Sequence, residues 1–276
     1  MHPDDREQDR QGPSFRPPKT PDLSRYVRQT AFKPFGPEGQ EALIKSSVLI
    51  VGIGGLGSWV AELLVRAGVG RVRLVDNDRV EIANIHRQAL YTEADAEARS
   101  LKIAVAAQRL RQINGGTEVE TVSSRLDRLT AERLMRDVDV TVDGMDNFES
   151  RFIVNDCAVK MSKPWIFAGV LGTKAQVMTI VPGKTPCLRC LMDAPPAPEG
   201  DGSPRPVLGV AVAVTAALEA SEALKVLSGH LDRINPCLLV FDLWDNTIKQ
   251  IDVSPPRADC ACCVHKRFEF LDGPRS

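Results

Sequence analysis

Short apolar runs alternate with amphipathic segments along the first part of the chain. Residues 48–51 form a β-branched run that enters a glycine-rich turn, and residues 72–75 form a second apolar run that ends at Asp76. An amphipathic stretch lies between the two runs. Because short apolar runs suit buried strands and the stretch between them suits a helix, the pattern predicts a βαβ unit.

The same alternation continues beyond this unit. Its apolar runs predict four more strands, over 118–123, 138–142, 164–168 and 175–181. Its amphipathic segments predict helices over 40–46, 102–111, 129–135 and 151–161. Strands and helices in alternation indicate an α/β fold with a Rossmann-like core and a mostly parallel sheet.

Three segments depart from this alternation. Residues 92–98 are rich in acids and alanine and are expected to form a loop. Residues 207–227 predict one long, alanine-rich helix, whose three charged residues argue against a membrane span. Residues 238–241 and 247–253 predict an antiparallel pair around a turn, and such a pair would extend the parallel sheet.

The first predicted strand ends in a turn with the spacing G-x-G-x-x-G, formed by Gly52, Gly54 and Gly57. The first glycine permits a tight turn, the second lets the backbone approach a phosphate, and the third lets the helix pack closely. Asp76 stands where an acidic side chain meets a ribose hydroxyl. The motif predicts a nucleotide site, but it suits a dinucleotide-binding dehydrogenase equally well, and glycines can also serve packing alone.

Polar and cationic side chains follow Asp76 directly. Ligands of open α/β sheets bind outside the carboxyl ends of strands, where Asp78, Asn84 and Arg87 are expected. Arg87 can hold a triphosphate through two hydrogen bonds, and Asn84 can hold a phosphate or a metal-bound water. Lys102 adds a cation on the first turn of a predicted helix. The alternatives are an ordinary polar loop and a solvated lysine.

Two further groups of polar and charged residues are candidates for a role in the site. Asp146 and Asn147 lie past the end of the strand predicted at 138–142, and Asp146 can bind Mg²⁺, which prefers carboxylate, water and phosphate oxygens. Near the N-terminus, Arg25 and Arg28 lie three positions apart and share one face if their segment is helical. The alternative for these arginines is a solvated helix end.

Composition narrows the class of protein. The chain has 276 residues and a formal net charge of -1, so no global field attracts nucleic acid or an anionic membrane. The sequence has neither the apolar core of a signal peptide nor a membrane-length apolar run. We expect a cytoplasmic protein with a disordered tail over 1–21, a single domain over 22–270 with a mobile loop over 192–206, and a short tail over 271–276.

Four of the seven cysteines form two C-x-x-C pairs, Cys187 with Cys190 and Cys260 with Cys263. Two such pairs in a chain without an export signal predict one Cys₄ zinc site that ties distant segments together. Chance pairing and a redox C-x-x-C are the alternatives, and Cys262 can substitute for a neighbouring ligand. The other thiols lie in apolar surroundings and are expected in the core: Cys157 and Cys237.

In this order, the motifs resemble the MoeB/ThiF/HesA branch of the ubiquitin-activating-enzyme-like superfamily. The resemblance runs from about residue 23 to residue 263, and it is specific because many modest motifs occur in the same order. The segments are R-Y-x-R-Q from Arg25, G-Q-E-A-L from Gly39, the glycine turn, A-G-V-G from Ala67, D-x-D from Asp76, N-x-x-R-Q from Asn84, Lys102, D-N from Asp146, P-C-x-R-C from Pro186 and the closing C-x-x-C.

The resemblance implies an adenylyltransferase. Such enzymes use ATP to adenylate the C-terminal Gly-Gly carboxylate of a small ubiquitin-fold sulfur-carrier protein, which then accepts sulfur for molybdopterin, thiamine or related cofactor synthesis. A carboxylate is a weak nucleophile, so the enzyme must align it with the α-phosphate of ATP and neutralise the growing charge. The expected partner is such a carrier, and the expected cofactors are ATP, Mg²⁺ and a structural Zn²⁺.

The same resemblance implies a role for each site residue. Asp76 would hold the ribose, and Asp146 would hold Mg²⁺. Arg28 resembles an arginine that one subunit of a homodimer donates into the partner's site. The two C-x-x-C pairs match the ligands of a structural zinc ion. The residues expected to contact the phosphates are Gly55, Asn84, Arg87 and Lys102.

Three positions depart from the family pattern. Many relatives carry a cysteine in the loop before the long helix, where a thioester or persulfide link to the carrier forms, but residues 192–208 contain none. This departure favours an enzyme that only adenylates. His86 stands where relatives often have Gln, and Met145 where many have Thr. Neither change removes a charged group, so we expect activity to survive.

Other functions compete with this interpretation. A nicotinamide-dependent oxidoreductase explains the glycine turn and Asp76, but it leaves Arg87, Lys102 and Asp146 without a role. A zinc-stapled scaffold that binds a carrier without turnover would not need these charged residues. A change of substrate within the family, to a peptide or to a tRNA-modification dehydration, is disfavoured by the two C-x-x-C pairs.

Overall fold

An eight-stranded sheet forms the centre of the computed structural model, which describes residues 23–196 and 205–273. The strands are β1 (Ser47–Val51), β2 (Arg71–Val75), β3 (Glu118–Val122), β4 (Val140–Asp143), β5 (Trp165–Leu171), β6 (Lys174–Ile180), β7 (Leu238–Asp242) and β8 (Thr247–Ile251). Their spatial order is β3-β2-β1-β4-β5-β6-β7-β8. Strands β1 to β5 are parallel, and β6, β7 and β8 continue the sheet antiparallel. The predicted α/β class with a mixed sheet is therefore confirmed.

Helices cover both faces of this sheet. They are α1 (Val27–Thr30), α2 (Gly36–Lys45), α3 (Gly55–Ala67), α4 (Glu93–Glu97), α5 (Lys102–Ile113), α6 (Ala131–Met135), α7 (Phe148–Met161), α8 (Leu188–Leu191), α9 (Gly209–Leu227) and α10 (Glu269–Asp272). Short 3₁₀ turns lie at Leu23–Tyr26 and Ile82–Asn84. Helices α3, α5 and α9 share one hydrophobic core, and α6 and α7 share the other.

Side chains of β1 alternate between the two cores. Val48 and Ile50 belong to the core beneath α3 and α9, whereas Leu49 and Val51 belong to the core beneath α7. This alternation follows from the two-residue period of a strand. All five residues of β1 are buried because both faces of the sheet are covered, which explains the continuous apolar run over residues 48–51.

The strand order reverses between β1 and β4. From β1 the sheet runs one way to β2 and β3, and the other way to β4 and β5. In open α/β sheets such a switch point opens a crevice at the carboxyl ends of the strands, where ligands bind. The glycine turn, the residues after Asp76 and the residues after Asp143 all leave strands at this edge.

Several sequence-based boundaries need correction. Residues 92–98 were expected to form a loop, but residues Glu93–Glu97 form α4. Thr92 and Asp95 build a capping box, in which each side chain bonds the backbone N–H of the other, and this starts a helix despite the short segment. Helix α7 begins three residues before the predicted start, because Asn147 caps it.

Of the two cysteines predicted to lie in the core, Cys157 is buried, whereas Cys237 is only half-buried.

Some predicted segments lie outside the described residues. The tail predicted over 1–21, part of the loop predicted over 192–206 and the last residues of the tail predicted over 271–276 are among them. Within residues 23–196 and 205–273, no helix combines the length and hydrophobicity that a bilayer span requires.

Candidate active site

The glycine turn between β1 and α3 has the conformation that its spacing predicts. Gly52 has a φ of +84°, a left-handed conformation that residues with a side chain rarely adopt. A Cβ atom on Gly57 would lie 1.9 Å from the carbonyl oxygen of Gly52, so only glycine allows this close packing of α3 on β1. A Cβ atom on Gly54 would meet nothing nearer than 3.7 Å, so this part of the turn leaves room for a ligand.

Asp76 fixes the glycine turn against the end of β2. Its carboxylate is 8% exposed and accepts two backbone hydrogen bonds. Oδ2 accepts from the N–H of Ile53, inside the turn, and Oδ1 accepts from the N–H of Asp78, each at 2.7 Å. Each oxygen keeps a second lone pair, so a ribose hydroxyl can still donate to this carboxylate.

A buried cation lies beside Asp78. Lys102 begins α5 and is 6% exposed, so it is not the solvated lysine of the alternative interpretation. Its Nζ lies 3.0 Å from Oδ2 of Asp78, and its backbone N–H donates to the carbonyl of Asp78, also at 3.0 Å. A lysine held by a single carboxylate in a largely buried place is a preformed point charge that an anion can use.

The short turn after β2 orients an amide and a guanidinium. Asn84 is buried, and its Oδ1 accepts from the N–H of Glu81 at 3.1 Å. Arg87 is half-buried, and its Nη1 donates to the carbonyl of Ala83 at 2.7 Å and contacts Nε2 of His86 at 2.8 Å. A guanidinium has five N–H donors, so Arg87 retains donors for a ligand.

Gln88 is a further candidate site residue, which the sequence analysis does not single out. It is 5% exposed, and its Nε2 is the nearest atom to a Cβ built on Gly54. Its Oε1 is buried and has no hydrogen-bond partner in the part of the chain that the structure describes. A molecule bound at the turn can supply the missing donor. In the sequence, Gln88 is marked only as the last residue of the N-x-x-R-Q motif.

The segment after β4 packs directly against the glycine turn. A Cβ atom on Gly52 would lie 2.4 Å from the carbonyl oxygen of Gly144. Asp146, two residues later, is exposed, and its Oδ1 accepts from Nδ2 of Asn147 at 3.2 Å. The Oδ1 of Asn147 accepts from the N–H of Ser150 at 2.8 Å and so caps α7. Asp146 therefore keeps lone pairs for a cation, while the Asn147 oxygen serves the helix.

A buried ion pair holds this segment in position. Nε of Arg151 donates to Oδ2 of Asp143 at 2.7 Å, and Nη2 donates to the carbonyls of Met145 and Ala168 at 2.7 and 2.8 Å. Burial raises the pKa of the Asp143 carboxyl, and the Arg151 charge opposes that shift. Arg151 thus fixes the peptide that precedes Asp146.

Glu219 has a buried carboxyl group without a hydrogen-bond partner among the described residues. It lies on α9 and is 0% exposed, and neither of its carboxyl oxygens has a hydrogen-bond partner among the described residues. Burial raises its pKa well above the ordinary value, and the negative charge of Asp143 adds to the shift. Burial therefore favours the neutral form of the Glu219 carboxyl.

We expect Glu219→Gln to stabilise the protein, and more so as pH rises. Because the folded-state pKa is raised, the unfolded chain releases this proton first, and wild-type stability falls with pH between the unfolded and folded values. In that range the free energy of unfolding of the wild type falls by about 1.4 kcal/mol per pH unit, whereas glutamine does not titrate and causes no such fall. Denaturant unfolding of both proteins between about pH 5 and pH 8 measures the difference. A difference that does not change with pH would contradict this assignment.

Arg28 lies at the far end of α3 from the glycine turn. The neighbouring Gln29 donates through Nε2 to the carbonyl of Ala67, the last residue of α3, at 2.9 Å. Helix α3 has 13 residues, so its two ends are roughly 20 Å apart. The other catalytic candidates share one edge of the sheet, but Arg28 does not join them within this chain.

The two C-x-x-C pairs meet in space. Their four Sγ atoms lie within 4.8 Å of one another, with 3.6 Å between Cys187 and Cys260 and 3.4 Å between Cys190 and Cys263. A tetrahedral site with Zn–S bonds of about 2.3 Å separates its sulfurs by about 3.8 Å, so these donors fit a zinc ion. Cys262 lies outside the set, and its Sγ accepts from Asn155 instead.

Comparison with protein families matches residues 26–262 to the ThiF family. The chain belongs to the ThiF family. This ThiF-family chain is 41% identical over 248 residues to the sulfur carrier protein ThiS adenylyltransferase of Bacillus subtilis, covering 90% of this chain and 73% of that protein. It is 42% identical over 239 residues to a sulfur carrier protein adenylyltransferase of Thermus thermophilus, covering 84% of this chain and 88% of that protein.

A solved structure supports the fold of this ThiF-family chain. The crystal structure of E. coli MccB with MccA-N7isoASN has a TM-score of 0.77 at 24% identity, covering 88% of this chain and 75% of that chain. At this identity the likeness concerns the fold. The family match and the two curated relatives confirm the MoeB/ThiF branch that the motifs indicated.

Proposed function

We propose that this ThiF-family protein adenylates the C-terminal Gly-Gly carboxylate of a ubiquitin-fold sulfur-carrier protein, giving carrier acyl-AMP and pyrophosphate. One observation carries the proposal: the glycine turn, the Asp78–Lys102 pair and the segment before Asp146 meet at one edge of the sheet. Two relatives of 41% and 42% identity are named sulfur carrier protein adenylyltransferases. A nucleotidyltransferase of this type uses ATP and a divalent metal.

The cations and N–H groups of the site suit a triphosphate. Lys102 is buried and has one carboxylate partner among the described residues, and Arg87 retains N–H groups that can donate to a ligand. In this proposal Lys102, Arg87 and Asn84 contact the phosphates, together with the N–H groups at the first turn of α3 near Gly55. Asp76, already anchored by two backbone N–H groups, accepts from the ribose.

The proposed reaction needs positive charge and alignment. A carboxylate oxygen of the carrier attacks the α-phosphorus of ATP, and a P–O bond forms as the bond to the pyrophosphate oxygen breaks. No proton is transferred, so the site needs no general base. Lys102 and Arg87 oppose the charge that develops on the phosphate oxygens. Asp146 would hold Mg²⁺, which when bound neutralises phosphate charge and stabilises the leaving pyrophosphate.

The proposal includes a homodimer in which Arg28 of one protomer completes the site of its partner. Arg28 is exposed, and its neighbour Gln29 contacts the end of α3 opposite the glycine turn, with a helix roughly 20 Å long between the two ends. Large apolar side chains around it are also exposed: Leu23 by 44%, Val27 by 60% and Phe32 by 64%. An exposed apolar patch around a cation suits a subunit interface.

We further propose that the four paired cysteines hold a structural zinc ion. The sulfur separations suit a tetrahedral set, and a closed Cys₄ site has no open position for substrate. The metal would link α8, which lies between Cys187 and Met192, to the segment around Cys260 near the end of the chain. Its contribution is thus to stability.

Cys260→Ser is expected to remove about one zinc ion per chain and to lower the midpoint of thermal unfolding, because the link between these two segments is lost. Cys262→Ser is the matched control. It changes a buried thiol two residues away that lies outside the ligand set. Elemental analysis and thermal unfolding of both variants give the answer. Equal zinc content in the two variants would reject the site.

Mass spectrometry of a carrier ending in Gly-Gly tests the proposed function. After incubation with the protein, ATP and Mg²⁺, the carrier should gain one adenylyl group, and a carrier without its last glycine should not. Calorimetric titration with ATP and with NAD separates the alternatives. Binding of NAD but not ATP would favour an oxidoreductase, and ATP binding without any adenylate would favour an inactive scaffold.

A further inference from the structure

Tyr91 contacts the glycine turn from another part of the chain. Its side chain is 4% exposed, and its hydroxyl donates to the carbonyl of Ile53, inside the glycine turn, at 2.7 Å. Burial holds the pKa of this hydroxyl well above its ordinary value, so the group stays a donor. Tyr91 comes from the segment before α4, which is remote from the turn in sequence.

The peptides on either side of Ile53 are thus held by two side chains. The N–H of Ile53 donates to Asp76, and the carbonyl of Ile53 accepts from Tyr91. The Ile53–Gly54 peptide is trans, so its carbonyl and the N–H of Gly54 point in opposite directions. With the carbonyl turned inward to Tyr91, the N–H of Gly54 points outward.

The surroundings of Gly54 also indicate that its N–H points away from the protein. Among residues 23–196 and 205–273, no acceptor receives a hydrogen bond from the N–H of Gly54. The position of a Cβ on Gly54 is open to 3.7 Å. Lys102 and Arg87 supply positive charge in the same region. An outward N–H in such surroundings is a donor for an anion.

We propose that Tyr91 is a positioning residue for nucleotide: its hydroxyl turns the Ile53–Gly54 peptide so that the Gly54 N–H faces the phosphates. The inference rests on the proposed function, because it takes the anion at this turn to be a phosphate of ATP. Loss of the hydroxyl leaves the Ile53 carbonyl buried without a donor, and the peptide can then rotate. The Gly54 N–H would no longer be aimed at the ligand.

The other of the chain's two tyrosines, Tyr26, is a matched control. Tyr26 is 6% exposed, and its hydroxyl accepts from Nδ2 of Asn114 at 2.8 Å. It packs against Gly68, just past the C-terminal end of α3, whereas Tyr91 contacts the turn at the N-terminal end. Each Tyr→Phe change therefore removes one buried hydrogen bond, at opposite ends of one helix.

Tyr91→Phe is expected to raise the dissociation constant for ATP about tenfold, the effect of one well-formed hydrogen bond. Tyr26→Phe should change it less than about twofold while losing similar thermal stability. Calorimetric titration with a non-hydrolysable ATP analogue measures the dissociation constants of both variants, without any carrier. Equal ATP affinity in wild type and Tyr91→Phe, or equal weakening in both variants, would overturn the proposal. Absence of ATP binding by the wild type would instead refute the proposed function.

Amide hydrogen exchange on the wild-type protein covers the case in which Tyr91→Phe does not fold. The Gly54 amide should exchange rapidly in the free protein, and the ATP analogue should slow it. An amide that is protected before nucleotide is added would show that Gly54 points into the protein, and that result would overturn the proposal. The neighbouring Ile53 amide, bonded to Asp76, should be protected throughout and serves as the internal reference.

Discussion

Asp146→Ala is expected to reduce carrier-dependent adenylation at least about a thousandfold, while ATP still binds. Asp146 is exposed, contacts Asn147 and has lone pairs free for a cation. The Asp143–Arg151 pair fixes the peptide before it, so truncation at Asp146 removes a ligand without disturbing a packed core. The loss should therefore fall on turnover, because metal charge neutralisation is needed most in the transition state.

Glu149→Ala provides the control for Asp146→Ala. Glu149 is an exposed carboxylate on the first turn of α7, three residues beyond Asp146. Its removal changes the net charge by the same amount and should leave turnover close to wild type. Rates of acyl-adenylate formation across a range of Mg²⁺ concentrations distinguish the two variants. Near-normal turnover by Asp146→Ala would contradict the role proposed for this carboxylate.

Mixing Arg28→Ala with Asp146→Ala is expected to restore activity that neither protein has alone. If Arg28 acts across a dimer, a heterodimer has one site with both residues intact and one site that lacks both. Random exchange makes about half of the dimers mixed, so the mixture should reach about a quarter of wild-type activity. The structural basis for this expectation is that the segment of Arg28 packs at the end of α3 opposite the glycine turn, across a helix roughly 20 Å long.

Purified heterodimers make the complementation test strict. Two different affinity tags on the co-expressed variants allow isolation of mixed dimers, whose activity should be about half that of wild type. Arg25→Ala is the matched control, because Arg25 is exposed, three residues away, and bonds the carbonyl of Ile113 in its own chain. Activity of Arg28→Ala near wild type, or no rescue in verified heterodimers, would rule out the proposed contribution in trans.

The sheet and the main site were predictable because their signals are local. Residues 48–51 of β1 are all apolar, since both faces of the strand are covered, and the glycine spacing marks the turn that follows. Asp76 and Asp146 follow strand ends, and parallel strands bring such ends to one edge of the sheet. The spacing of the two C-x-x-C pairs predicts that they lie together, although Cys187 and Cys260 are 73 positions apart in the sequence.

Most of the supporting contacts were not predictable, because a local sequence pattern does not show which side chains fold against each other. Tyr91 reaches the glycine turn across 38 residues, and no local pattern marks its hydroxyl as a donor to Ile53. Arg151 looks like any helix arginine until Asp143 is seen beside it. Asp76 was expected to face only a ribose, yet it also holds the turn in place. Helix α4 does carry a local signal, the capping box of Thr92 and Asp95, but a segment this short and rich in acids also suits a loop.

Isotope exchange between ATP and labelled pyrophosphate tests the central claim most directly. The exchange reports reversible adenylation at the α-phosphate and needs no later sulfur-transfer step. We expect exchange that requires both Mg²⁺ and a ubiquitin-fold carrier ending in Gly-Gly, and that is lost in Asp146→Ala. Absence of exchange with every such carrier of the same organism, despite measurable ATP binding, would contradict the account and point to another substrate or to an inactive scaffold.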